Sequence, residues 1–399
     1  MSVRAVVVGL AFSCCCCAGS ARLFAQQPSW LSGYVLSVPL FSGATPLTAS
    51  SASNFNRFRV TIEESVGDFS FEVAYENAVS FRQHNTNPGF GLGGVQSGGE
   101  WFNLQGTISP VTQEHTVWQH RFDRMNVSWR PTDNIDLRVG RQAISWGTTL
   151  FLTPADPFIP FVPADPFRLF RAGVDAIRLR IYPSALSSLD FVVRPTDTEM
   201  GEEVTALARG LTTWRNWELS AWGGSLYGDV SGAVGAVGAI GSWALRGEAV
   251  IREYGETLVG RGTIGVDRFF VVDGHDVSIQ WEYQRDGLGA AVSEDYLRLL
   301  YSRAFQRGEF QVFGRDETAV FGSFMINPLW TVAGLTLWNL NDGSMLVAPT
   351  VAYSAGDETA ISAGLYFGFG DDEVSSTRPL PSEYGLSGIT GFLSVSWFF

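Results

Sequence analysis

Lysine is missing from all 399 residues, so the 27 basic side chains are all arginine. Cysteine occurs only as the run Cys14, Cys15, Cys16 and Cys17, and histidine only at His84, His115, His120 and His275. Charge is sparse at 17% of residues, and acids outnumber bases by 40 to 27. The net charge of −13 argues against a nucleic-acid partner, whose phosphates need a basic surface. Beyond the first segment no window offers the roughly 20 apolar residues a membrane-spanning helix requires. A mean hydropathy of only +0.08 says the same for the whole chain. Collagen, coiled coil and disorder are excluded by composition.

Residues 1–25 read as a secretory signal peptide, separate from a single domain over 26–399. Arg4 supplies the positive start, Ala5 to Ala18 is uncharged and apolar, and Gly19, Ser20 and Ala21 offer small residues for cleavage, with a second point after Ala25. The four cysteines lie inside this apolar stretch. A lipobox around Cys14 is weighed against it, but Leu10 stands one place too early. The mature chain then has neither disulfides nor thiolate metal sites.

What is abundant is glycine (44 residues), tryptophan (13) and an alternation of apolar with polar side chains. Phe58, Val60 and Ile62 alternate with Arg57, Arg59 and Glu63. Phe71, Val73 and Tyr75 alternate with Glu72 and Glu76; Ile177, Leu179 and Ile181 alternate with Arg178 and Arg180. The period of two is that of a strand with one apolar face. Long strands, tryptophans at strand ends and connections of two lengths favour a transmembrane antiparallel β-barrel over a soluble sandwich. An even count between 16 and 20 strands fits the length, with 18 central; the segments 204–213 and 233–240 are the softest. Tight turns are expected at 66–68, 131–134, 272–275 and 306–309. Longer loops are expected at about 82–116, 148–172, 196–203, 285–294 and 370–385.

The chain ends in Gly391-Phe392-Leu393-Ser394-Val395-Ser396-Trp397-Phe398-Phe399, with Leu393, Val395, Trp397 and Phe399 on one face. This resembles the C-terminal signal that assembly machinery reads in bacterial outer-membrane barrels. It implies Trp397 and Phe399 as the signal, and lipid and lipopolysaccharide of a Gram-negative-type outer membrane as surroundings.

One stretch breaks the alternation. Gly140-Arg141-Gln142 and Trp146-Gly147 precede a proline-rich loop in which Pro154-Ala155-Asp156-Pro157-Phe158 is duplicated as Pro163-Ala164-Asp165-Pro166-Phe167, and Arg171-Ala172-Gly173-Val174-Asp175-Ala176 follows. The series resembles porin-like barrels similar in style to the alginate-export family, over about 45 residues. The resemblance implies a channel or exporter and names no solute. Prolines stiffen such a loop, and its phenylalanines are too apolar for free water. It should pack inward as a constriction or, alternatively, on neighbouring loops at the rim. Asp156, Asp165, Phe158, Phe167, Arg168 and Arg171 are its candidate functional residues.

Strand parity points a second set inward: Arg57, Arg59, Glu63, Glu72, Glu76, Asp136, Arg138, Arg178, Arg180, Arg246 and Glu248, with Arg261, Asp267, Glu282 and Arg298. Opposite charges facing a lumen set a transverse field, and they also brace neighbouring strands. The pairs 57/59 and 178/180 put two arginines on one face and are the best candidates for contact with an anionic or hydroxyl-rich solute.

The acids Asp286, Glu294, Asp295, Asp371, Asp372 and Glu373 are placed in loops. There they could hold divalent cations against lipopolysaccharide, or simply be solvated. No metal-ligand spacing, nucleophile elbow or phosphate loop is present, and no cofactor is expected. His120 and Ser128 share strand parity but lie about 26 Å apart along a strand. The expectation is a channel for small polar solutes. An outer-membrane phospholipase or protease, and a plugged structural or adhesin barrel, are the alternatives.

Overall fold

The computed structural model describes residues 30–83, 100–108, 115–160, 162–198 and 201–399; the expected signal peptide lies outside them. Nearly everything is antiparallel sheet. The strands are β1 (Leu31–Ser42), β2 (Ser51–Val66), β3 (Phe69–Arg82), the three-residue β4 (Gln105–Thr107), β5 (Thr116–Thr132), β6 (Ile135–Gln142) and β7 (Val174–Ser184). They continue as β8 (Ser187–Thr198), β9 (Gly201–Trp214), β10 (Trp217–Leu226), β11 (Asp229–Ile240), β12 (Trp243–Tyr254) and β13 (Thr257–Val272). The last are β14 (His275–Asp286), β15 (Asp316–Asn327), β16 (Trp330–Asn339), β17 (Met345–Gly356), β18 (Thr359–Phe369) and β19 (Thr390–Phe398).

Each long strand pairs with its chain neighbours, and β1 also pairs with β19, Tyr34 opposite Phe398. The result is a closed barrel of 18 strands, with β4 as an extra piece on β5. Closure leaves no sheet edge for another chain to pair with. The segments expected to be soft are the ordinary strands β9 and β11.

The two ends of the barrel differ. At one end, two-residue turns join β2 to β3, β5 to β6 and every second pair onward to β17 and β18. Asp273 and Gly274 both have positive φ, 50° and 82°, the conformation of a two-residue hairpin that matches strand twist. The long connections leave from the other end. Three expectations fail there. No long loop covers 196–203, because β8 runs to Thr198 and β9 starts at Gly201. Residues 306–309 are no hairpin turn but the end of a short helix (Arg303–Gln306) inside the β14–β15 connection. Arg298, expected on a strand, lies in the preceding helix (Tyr296–Leu300). Leucine and arginine at 297–300 carry no period that separates one helical turn from a strand.

The two faces also differ. Phe58, Ile62, Phe71, Val127, Ile177, Val193, Ile251, Ile264, Trp281 and Leu393 stand exposed on the outer face. Alternate residues turn inward and are largely buried, including Arg57, Arg59, Glu76, Asp136, Glu248 and Glu282. Such a surface buries its charges and presents its apolar side chains, which suits hydrocarbon outside and water or packed loops within. Among the described residues no helix is long and apolar enough to cross a membrane.

Parity is broken in the middle of β5. Its register with β3 shifts between Ala74 and Tyr75, which face Arg124 and Phe122. Asp123 is the extra residue of this bulge, so Asp123 and Arg124 are both buried. The shift also separates the two residues once matched by parity: Ser128 is buried and donates to Asp136 at 2.6 Å, whereas His120 packs beside Tyr75 on the other face.

Candidate functional site: an inward loop and an arginine row

The connection between β6 and β7 spans 143–173 and starts from a clasp. Arg141 and Asp175 are cross-strand partners. Arg141 donates through Nε and Nη2 to the two carboxylate oxygens of Asp175, at 2.9 and 2.7 Å. Because β6 ends at Gln142, the upper part of β5 loses that partner and is covered by β4. The segment before β4 closes onto the clasp: Phe102 N donates to Asp175, and its carbonyl accepts from Arg141.

From this neck the loop runs into the barrel, and two wall carboxylates hold it. Glu248 on β12 accepts the backbone N–H groups of Thr148, Thr149 and Ala155 at 2.7, 3.3 and 2.9 Å. Glu282 on β14 accepts those of Leu150, Phe151 and Leu152 at 2.6, 2.9 and 2.9 Å. A loop inside a barrel carries peptide groups that need partners away from water, and these carboxylates supply them. Glu248, read from the sequence as a pore-lining charge, is spent on the loop. Gln311 from the β14–β15 connection adds a two-point amide contact, accepting from Thr153 N and donating to the Phe151 carbonyl, both at 2.6 Å.

The duplicated motif forms one turn twice. The carboxylates of Asp156 and Asp165 accept the N–H of Phe158 and Phe167, two residues on, at 3.2 and 3.0 Å. This is the Asx turn that Asp favours. Each turn sends its phenylalanine to a different wall. Phe158 meets Trp146 edge-on at 5.1 Å, within a cluster that includes Val192, Leu207, Trp222 and Val250. Phe167 meets Phe392 edge-on at 4.9 Å, in a cluster with Leu36, Val38, Leu337 and Leu346. Trp222 Nε1 and Tyr366 Oη donate to the carbonyls of Ala155 and Ala164, the matching residue of each copy. Asp156 also takes Arg171 at 2.7 Å, while Arg168 lies 3.8 Å from Asp165.

On the wall formed by β2 to β8, the sequence candidates assemble into a row. The register sets Arg57 opposite Ala78, Arg59 opposite Glu76 and Arg124 opposite Ala74. Ser128 stands opposite Ser70 and Arg138, Arg138 opposite Arg178, and Asp136 opposite Arg180. Guanidiniums therefore descend step by step from the loop toward the tight-turn end. The upper members are braces. Arg57 and Arg59 are each 3% exposed, and they are held with Arg121 and Arg124 by Glu76 and Asp123.

The lower members face water. Arg180 binds Asp136 at 2.5 Å, and Arg178 grips Asp190 with Nε and Nη2. Arg138 has Glu72 at 3.9 Å and is also attracted by Asp136, which Arg180 already binds. The side chains of Arg138 and Arg180 keep 25% exposure and that of Arg178 keeps 14%. Glu63 lies exposed at the end of this row, opposite Glu72.

Other residues stand elsewhere. Arg246 pairs with Asp267 at 2.8 Å on the far wall. Asp286 is not a loop acid: it is buried and takes Arg261 bidentately at 2.8 and 2.7 Å. Trp397 and Phe399 meet with their rings tilted by 36° at 5.3 Å beside the closing seam. Arg121, Asp123, Arg124 and Asp190 escaped the sequence reading. The bulge shifts Arg121 and Asp123 out of phase, Arg124 keeps the inward parity of Asn126 and Ser128, and only the paired strands reveal Asp190 beneath Arg178. Among the described residues, no group of three or more His, Cys, Asp or Glu is arranged to hold a metal ion.

No family model matches the sequence, and no curated protein matches it. Solved structures do resemble it. OccAB1 of Acinetobacter baumannii aligns with a TM-score of 0.54 at 11% identity, over 92% of this chain and 96% of that one. A BenF-like porin of Pseudomonas fluorescens Pf-5 gives 0.53 at 10%, over 93% and 98%. The outer-membrane protein OpdK of Pseudomonas aeruginosa gives 0.51 at 9%, over 92% and 98%. At this identity the likeness is one of fold. The architecture is that of an outer-membrane porin, a closed antiparallel barrel of 18 strands.

Proposed function

We propose that this protein is an outer-membrane channel that admits small anionic solutes along the arginine row beneath its inward loop. The observation that carries the reading is the facing pair Arg138 and Arg178. They are cross-strand partners of like charge, both point inward, and both remain partly solvated. Like charges directly opposite destabilise a strand pair, whereas an anion between or beside them would relieve the repulsion. Asp190 answers one of the two charges; the other has Glu72 at the limit of ion-pair distance and shares Asp136 with Arg180. The porin fold supports the outer-membrane setting, with the tight turns toward the periplasm and the long loops outward.

The test is the reversal potential of the purified protein in a planar bilayer under a potassium chloride gradient. Wild type is expected to prefer chloride, and the double variant Arg138→Gln with Arg178→Gln to shift toward potassium. An identical reversal potential in both proteins would overturn the role of the pair. Absence of current at any voltage would overturn the open channel and favour a plugged barrel.

A further inference from the structure

The outer face is apolar on some walls and interrupted on one. On β7 and β8 it reads Ile177, Leu179 and Ile181, then Leu189, Phe191 and Val193. On β1, β2, β3 and β5 it carries Ser37, Asn56, Asn77 and His120. Asn56 shares its parity with the exposed Phe58 and Ile62, Asn77 with Phe71 and Phe81, and Ser37 with Phe41. The register joins the four: Ser37 faces Asn56, Phe58 faces Asn77 one step down, and Asn77 faces His120. Phe41 and Phe81 stand toward the long-loop end, and Phe58, Ile62 and Phe71 toward the tight-turn end. The polar row therefore lies within the apolar band and not beyond its edge. Its hydrogen bonding is only half used. Ser37 Oγ donates to Asn56 Oδ1 at 2.8 Å, and Trp118 Nε1 donates to Asn77 Oδ1 at 3.0 Å. Among the described residues nothing accepts the amide N–H groups of Asn56. Asn54, two residues up the same face, is 5% exposed, and its Oδ1 has no partner.

Hydrocarbon tails supply neither donors nor acceptors to such a row. Lipid phosphates call for cations, and the outward positions of these four strands hold no arginine. A second copy in the same membrane has the same orientation, so rotation about the membrane normal brings an identical row to identical depth. Amide, hydroxyl and imidazole groups each donate and accept, which makes the row complementary to itself. Its neighbours Phe58, Tyr75, Phe81 and Trp118 are the aromatic residues that protein contacts favour. We propose that the outer face of β1, β2, β3 and β5 is an interface between copies of this chain, with Asn56, Asn77 and His120 as its hydrogen-bonding centre.

The test is crosslinking of the full-length protein in intact outer membranes by a long, flexible bismaleimide. The natural cysteines all fall at 14–17, in the expected signal peptide, so one introduced thiol reports one face. Val79→Cys stands opposite Asn56 and Trp118 on this wall, and Ile264→Cys is the exposed control on β13. A band of two copies, identified by peptide mass, is expected from Val79→Cys and not from Ile264→Cys. Adding Asn56→Leu with Asn77→Leu is expected to lower that band roughly fivefold, the factor carried by one net hydrogen bond. Heat resistance and single-channel conductance should stay at wild-type values, which separates loss of contact from loss of fold. Equal bands from the two positions, or a band joining Val79→Cys to a different protein, would overturn the interface. An undiminished band in the double leucine variant would overturn the polar row as its centre.

Discussion

Arg141 and Asp175 close the neck of the inward loop with two parallel hydrogen bonds, each side chain only 3% exposed. Arg141 also donates to the carbonyls of Phe122 and Phe102, tying β5 and the segment before β4 to the same point. Removing one partner strands a buried charge, which costs about 3–5 kcal/mol. Arg141→Met is therefore expected to lower the temperature at which the barrel loses its compact gel mobility. Adding Asp175→Leu should recover part of the loss, and a double variant as impaired as the two losses combined would refute the pairing.

Glu248 and Glu282 hold the loop through its own backbone. Hydrogen bonds to a charged group contribute about 1.5–3 kcal/mol each, so the two carboxylates together dominate its attachment. Glu248→Ala with Glu282→Ala should detach the middle of the loop while its ends stay tied by Arg141, Asp175 and Arg171. Single-channel conductance is expected to rise and to become noisier. A conductance trace indistinguishable from wild type would show that the two apolar clusters suffice.

Glu383, in the β18–β19 connection, ties that loop to the β14–β15 connection and to the end of β16. It accepts from Phe313 N and Gly314 N at 2.7 and 3.0 Å and from Asn339 Nδ2 at 2.7 Å. Burial pushes its carboxyl up to about 7 from an ordinary 4.5, and the nearby Asp342 adds to the rise. From about pH 4.5 to 7 the folded loop keeps a proton that an unfolded chain has released, so its stability falls as pH rises and levels off above about 7. Protease cleavage within 370–389 is expected to be faster at pH 8 than at pH 5. Glu383→Gln should remove most of that difference.

Gly33 lies where the C-terminal residue docks. Its N–H donates to the Phe399 carbonyl at 2.8 Å, and Phe399 N donates back at 3.0 Å. A Cβ there would collide with the Arg59 carbonyl and the Phe399 ring. Gly33→Val is expected to reduce the yield of refolded, heat-resistant barrel sharply, while Gly247→Ala, whose added methyl would only touch Thr263 at 3.8 Å, should not. Equal yields would mean that the terminal ring is free to move aside.

The barrel was legible because a two-residue period repeats along the chain and survives in the outer face, as at Phe58 and Ile62 or Ile177 and Val193. Its inner chemistry was less so. Parity placed Arg138 and Arg178 inward, but only the register makes them face each other. Arg57 and Arg59 read as two arginines on one face; the carboxylate partner of Arg59, Asp123, sits on a bulge that no period announces. The Pro-Ala-Asp-Pro-Phe duplication was visible as a repeat, and its meaning required three dimensions: two identical turns that anchor one loop to opposite walls. The helical turns around Arg298 and Arg303 were missed because four or five residues are too short for a helical period to emerge.

Closure joins the two ends of the chain, as in the hydrogen bond from Thr390 Oγ1 to Ser42 Oγ at 3.0 Å, 348 positions apart. Every other pairing links strands adjacent along the chain, or β3 with β5 across the three-residue β4, and so joins residues close in sequence. The β1–β19 seam must wait for β19, 348 positions after its partner, and contacts between such distant residues form slowly. A polypeptide cut short anywhere before β19 leaves β1 facing an incomplete neighbour, with backbone donors and acceptors unmatched in a medium that offers none. Sealing of the cylinder thus depends on residues 390–398, and a chain that lacks them cannot close.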